Sequence, residues 1–140
     1  MGGDDRTVRV YFSNGTLFSL SDTLTDFTSS VWAVDVTADG EWLLVVEDAR
    51  IHRIYSFNYK TNKFQLFQNI TIDNSTSYAG ALTDDHLWLV LTKYNGYVYI
   101  YTFNGSQFVH KETLNQFSSY VLPYLSLTND HLYMAFAISG

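Results

Sequence analysis

Along most of the chain, large apolar residues alternate with polar or small ones at a period of two. SVWAVDV (Ser30 to Val36) is one such stretch, and its alternation predicts a half-buried β-strand. TADGE follows, its Asp-Gly pair a hairpin signal, and then WLLVV, a continuous apolar run that reads as a buried strand. HRIYSFN and KFQLFQNI supply two more strands. The next segment gives the same four in the same order: SYAGAL, LWLVLT, YVYIYTF and QFVHKETL. Nowhere do apolar residues recur at i, i+3, i+4 and i+7 over the length a helix needs. The pattern predicts an all-β chain.

The segments are also copies of one another. TADGEWLL begins at Thr37, TDDHLWLV at Thr83 and TNDHLYMA at Thr128, so one phrase returns after 46 and then 45 residues. Asp39, Asp85 and Asp130 correspond, as do Trp42, Trp88 and Tyr133, which the register predicts as core residues of the second strands. A second phrase, VYFSNG, IYSFNY and IYTFNG, aligns Asn14, Asn58 and Asn104. A third matches SDTLTDF at Ser21 with KETLNQF at Lys111. Three phrases in constant order mark a repeat protein. A two-sheet sandwich would share the alternation but has no reason to repeat turn residues in register.

In SVWAVDVTADGEWLLV and GYVYIYTFNG the chain resembles the WD40-like superfamily, with repeats running from Val8 to Ala137 and without the Gly-His and Trp-Asp pairs of typical WD40 blades. The resemblance implies β-propeller blades of four antiparallel strands. On this reading the N-terminus supplies a third and fourth strand (8–24), and two whole blades follow (30–70 and 77–114). The C-terminus then supplies a first and second strand (121–138). Three blade-equivalents are too few for a ring, and each half-blade would present an unpaired edge. Joining the C-terminal half-blade of one chain to the N-terminal half-blade of another closes six blades as a homodimer. A fragment of a longer propeller would account for the same edges.

Composition narrows the partners. Aromatics make up 17% of the 140 residues and there is one proline, a bias that suits strands. With a net charge of −6 and eight Lys and Arg in all, the chain lacks the basic footprint that nucleic acid requires. Cysteine is absent, which excludes disulfides, thiolate metal sites and a cysteine nucleophile. The apolar runs, Trp42 to Val46 among them, are far short of the roughly 20 residues that span a bilayer, and MGGDDRTV has no signal-peptide core. No membrane partner is expected. The compartment stays open, with the cytoplasm slightly favoured.

Catalysis finds no motif. His52, His86, His110 and His131 offer no pair at metal-ligand spacing, and no G-x-S-x-G elbow or glycine-rich phosphate cradle occurs. No metal, no cofactor and no enzyme activity are expected. His86 and His131 share one repeat position and read as turn residues, as do the three aligned aspartates. Sequons stand at Asn14, Asn69, Asn74 and Asn104 and would take glycans in a secreted protein, although Asn14 and Asn104 are equivalent turn positions.

Function is expected where the repeats differ. After the second strand, one unit carries the densely charged EDARIHR (Glu47 to Arg53) and the next the aromatic KYNGYVY (Lys93 to Tyr99). By the resemblance these loops open on the face where propellers bind partners. Glu47, Asp48, Arg50, His52, Tyr94 and Tyr97 are therefore the candidate contact residues. The expected function is a non-catalytic interaction module for a protein or peptide, by fold-level analogy. Carbohydrate binding through exposed tyrosines and tryptophans is the alternative.

Overall fold

The computed structural model describes residues 4–73, 77–115, 121–127 and 134–138. These residues form twelve strands and no helix: β1 (Val8–Ser13), β2 (Phe18–Leu24), β3 (Val31–Val36), β4 (Trp42–Glu47), β5 (Ile51–Asn58), β6 (Lys63–Thr71), β7 (Ser77–Leu82), β8 (Trp88–Lys93), β9 (Val98–Phe103), β10 (Phe108–Leu114), β11 (Val121–Leu127) and β12 (Met134–Ile138). All pairings are antiparallel and between chain neighbours. The sheets are a hairpin β1-β2, two four-stranded meanders β3-β4-β5-β6 and β7-β8-β9-β10, and a hairpin β11-β12.

The repeated Thr-x-Asp phrase is a hydrogen-bonded turn. Thr37 Oγ1 donates to Asp39 Oδ1 at 2.6 Å and accepts from Trp42 N at 3.1 Å. Thr83 does the same with Asp85 Oδ1 at 2.6 Å and Trp88 N at 3.0 Å. Each aspartate also accepts the amide two residues on, Glu41 or Leu87. The residue after the aspartate is left-handed in both turns, Gly40 at φ 73° and His86 at φ 65°. That conformation suits glycine and is tolerated by few other residues. Thr128, Asp130, His131 and Tyr133, the third copy of the phrase, lie outside the described residues, as does Asn74.

Strand β4 shows why WLLVV is continuously apolar. Its side chains alternate, yet both faces are covered. Leu44 and Val46 join Ile54, Leu82, Leu89 and Leu91 in one cluster toward β7–β10. Leu43 and Val45 join Val8, Leu24, Tyr55 and Phe64 in another toward β1–β2. Strand β7 packs across β3 and β4, and β11 packs in turn across β7 and β8. The approach at β7 is close enough that a side chain at Gly80 would have to displace its neighbours. A Cβ on Gly80 would meet Leu44 Cδ2 at 2.7 Å and Leu91 Cδ2 at 2.8 Å.

Side chains also cap the amides of neighbouring sheets. Asp35 on β3 accepts Leu82 N of β7 at 2.8 Å. Asp84 accepts Ala38 N at 2.7 Å, and the His86 imidazole stands 2.8 Å from the Asp39 carboxylate. On the outer strands, Asp22 of β2 accepts Phe64 N of β6 at 3.1 Å, and Gln68 of β6 accepts Phe108 N of β10 at 2.8 Å. Asp22 and Gln68 hold the same repeat position, four residues after an aligned phenylalanine.

The tryptophans correct one expectation. Trp42 and Trp88 are half-buried rather than core residues. Each opens its strand at the turn end; Trp42 is covered there by the adjoining sheet, and the Lys111 ammonium lies 5.1 Å from the centre of the Trp88 ring. Trp42 lies edge-on to Phe67, Phe103 and Phe108, with centroids 4.6, 5.7 and 5.8 Å away.

The turn makes a sharp prediction. Thr83→Val keeps the volume but leaves Trp88 N and Asp85 without their hydroxyl partner, and should cost about 1–3 kcal/mol. Thr83→Ser should retain most of that stability. Urea midpoints of the three proteins measure the difference, and equal midpoints for Val and Ser would contradict the hydroxyl's role.

Candidate functional site

The two differing loops are short hairpins between β4 and β5 and between β8 and β9. In the first, Asp48 and Arg50 are exposed. Their backbone is anchored to the linkers on either side of the sheet: Asp48 N donates to Ser30 O at 2.8 Å and Ile72 N donates to Arg50 O at 2.9 Å. In the second, Tyr94 and Tyr97 are 40% and 37% exposed, enough to meet a partner. The turn between them closes through Lys93 N to Tyr97 O at 2.9 Å, with Gly96 at φ 84°. The Tyr97 ring stacks on Tyr99, centroids 6.3 Å apart.

Glu47 and His52, expected among the contact residues, are fully buried. They support the loop from beneath instead of facing solvent. The Glu47 carboxylate pairs with Arg53 Nη1 and accepts from Thr28 N at 2.9 Å and from Thr28 Oγ1 at 3.3 Å. Arg53 continues outward to Asp26, 3.8 Å away, and its guanidinium lies 5.4 Å from the centre of the Phe27 ring. Tyr55 donates its hydroxyl to the other Asp26 oxygen at 2.9 Å. Burial, reinforced by Asp26, raises the Tyr55 phenol. This network pins the 25–30 linker to β4 and β5.

The neighbouring sheet solves the same problem with the opposite charge. Lys93 occupies the repeat position of Glu47, five residues after the aligned tryptophan, and is also buried. Its ammonium donates to the carbonyl of Asp73, in the linker that precedes β7, and lies 5.3 Å from the Tyr99 ring centre. Burial holds the Lys93 amine below the ordinary lysine range. His52 Nε2 is hydrogen-bonded to Ser77 Oγ at 2.9 Å, and both residues are fully buried. Burial first, and the Lys93 charge second, push the His52 imidazole down to about 4. His52 is therefore neutral near pH 7.

Arg53, Ser77 and Lys93 were not singled out from the sequence. The available signal was that Glu47 and Lys93 each end a buried strand at equivalent positions, where solvent exposure is not the rule.

One group among the described residues has the spacing of metal ligands. Oxygen or nitrogen atoms of Asp39, Glu41 and His86 lie within 4.8 Å of one another. Each already has a structural partner. Asp39 Oδ1 is held by Thr37 and by Glu41 N, and Glu41 Oε1 accepts from the Tyr59 hydroxyl at 2.8 Å. Desolvation opposes ionisation of Asp39, but the hydrogen bonds from Thr37 and Glu41 N outweigh it and its carboxyl is lowered. The arrangement is accounted for as a turn joined to its neighbour.

No family model and no curated protein sequence matches the chain. Among solved structures 320 chains match. One of them is the crystal structure of Saccharomyces cerevisiae Sqt1, with a TM-score of 0.71 and 14% sequence identity over 86% of this chain. The chain spans 32% of the length of that neighbour. The likeness is one of fold alone: the antiparallel sheets described above are arranged as in part of a β-propeller.

His52 gives the site a pH signature. Unfolded, it takes up a proton near 6.5; folded, not until about 4. Between these values the unfolded chain binds the proton that the folded chain refuses. Stability is therefore full above about pH 6.5 and falls toward pH 4, by on the order of 3 kcal/mol from this group. Urea unfolding at several pH values should show a shallower acid loss in His52→Met than in the parent. Parallel profiles would remove His52 from the account.

Proposed function

We propose that the chain is a non-catalytic interaction module that presents the β4–β5 and β8–β9 loops to a protein or peptide. One observation carries this reading: exposed Asp48, Arg50, Tyr94 and Tyr97 sit on loops fixed by buried polar supports, the Glu47–Arg53–Thr28 network and Lys93. Tyrosine and arginine are the residue types that anchor protein interfaces. Loops ordered before binding lose less conformational entropy on contact. In the same reading the module works as a homodimeric six-bladed ring.

The test begins by selecting peptides from a random display library on the parent protein and measuring their affinity by calorimetry. Arg50→Ala and the Tyr94→Ala, Tyr97→Ala pair should each weaken the selected peptides at least tenfold. Both should shift stability by less than about 1 kcal/mol, as at most exposed positions. Undiminished peptide binding would sink the loop assignment. A glycan array run on the same proteins adds a second outcome: glycan binding lost in the tyrosine variant would replace the peptide reading with a carbohydrate one.

A further inference from the structure

Between β1 and β3 lies an open apolar groove of about 580 Å³, lined by Val10 and Phe12 of β1, Val34 and Val36 of β3, and Leu43 and Phe57. Val34 and Val36 are 41% and 53% exposed on β3, whose repeat counterparts β7 and β11 each pack across the first two strands of the preceding four-stranded sheet. Strand β1 pairs with β2 alone among the described residues, and β12 pairs with β11 alone. The groove thus occupies the place of a first and second strand for the β1-β2 sheet. In both four-stranded sheets, the second strand pairs with the third, β4 with β5 and β8 with β9.

We infer that the groove receives the β11-β12 hairpin of a second copy of this chain, with its β12 pairing along β1. This deepens, and rests on, the homodimer reading above. A joint built to the repeat must also reproduce the contacts made at the seams within one chain, and two loose ends match. Asp22 and Gln68 accept Phe64 N and Phe108 N of the following sheet. The third residue at that repeat position is Glu112, exposed on β10, and the phenylalanine aligned with Phe64 and Phe108 is Phe18 on β2. The closed ring sets Glu112 of one copy against the Phe18 amide of the other. The ring contact repeats as well. Phe108 lies edge-on to Trp42 at 5.8 Å. The equivalent pair is Trp88 with Phe18 of the second copy, and Phe18 is 76% exposed in the single chain. Backbone edge, apolar groove, amide cap and aromatic contact are all met by a second copy in one register. By two-fold symmetry one such joint implies the other, and the ring closes.

Light scattering with a dilution series tests the inference on the 140-residue chain. The parent should show twice the 16.0 kDa chain mass. Phe18→Ala, Val36→Lys and Glu112→Lys change exposed side chains, so each should keep the parent's circular dichroism while dissociating at concentrations at least tenfold higher. Glu112→Gln, which supplies the same carbonyl acceptor as Gln68, should dimerise like the parent. A parent that stays monomeric at high concentration overturns both the homodimer reading and this joint, and assigns the groove to another occupant. A dimer indifferent to the three disruptive substitutions overturns the joint alone and leaves the homodimer reading standing.

Discussion

The central sheet must be covered on both faces, and the rest of the structure follows from that constraint. Strand β4 turns Leu44 and Val46 to one neighbour and Leu43 and Val45 to the other, and all four are essentially removed from water. Neither neighbour alone suffices. The close approach of β7 at Gly80 serves this packing, because a side chain there would displace Leu44 and Val46. Sheets brought so near leave outward-facing amides with little access to water, and a buried amide without a partner is costly. Asp35, Asp22 and Gln68 supply those partners across the seams. The Asp35 carboxyl shows the cost: burial raises it even though it accepts two backbone amides.

What the sequence disclosed and what it hid divide along the range of the interactions. The Thr-x-Asp phrase was readable because its bonds span two to five residues, so identical wording produces identical geometry in both described copies. The all-β antiparallel character was readable for the same reason, since alternation is a local property. The half-burial of Trp42 was not. It depends on Phe103 and Phe108, which arrive from another sheet about 60 residues on.

The candidate site shows the same division more sharply. Asp48, Arg50, Tyr94 and Tyr97 are exposed where polar loop residues are expected to be. Glu47 and His52 looked equivalent to them in a charged heptapeptide, and charged side chains are seldom buried unless paired. The ion pair of Glu47 with Arg53 lies within that heptapeptide, but the burial of Glu47 and His52 also rests on the 25–30 linker and on Ser77, 19 and 25 residues away. No local pattern in EDARIHR encodes those partners. Alignment of the repeats did place Glu47 opposite Lys93, and that opposition was the trace of burial left in the sequence.

That opposition has a consequence for how such a chain can be altered by duplication or shuffling. The two meanders share strand order, turn wording and seam contacts, yet they are not interchangeable modules. Each carries its own fastening for the linker that enters it: a carboxylate that grips an amide and a hydroxyl in one case, an ammonium that grips a carbonyl in the other. A unit grafted into its sibling's place without that linker would turn a carboxylate toward a carbonyl oxygen, or an ammonium toward an amide hydrogen. The unit of inheritance in this fold is therefore a sheet together with the few residues that lead into it.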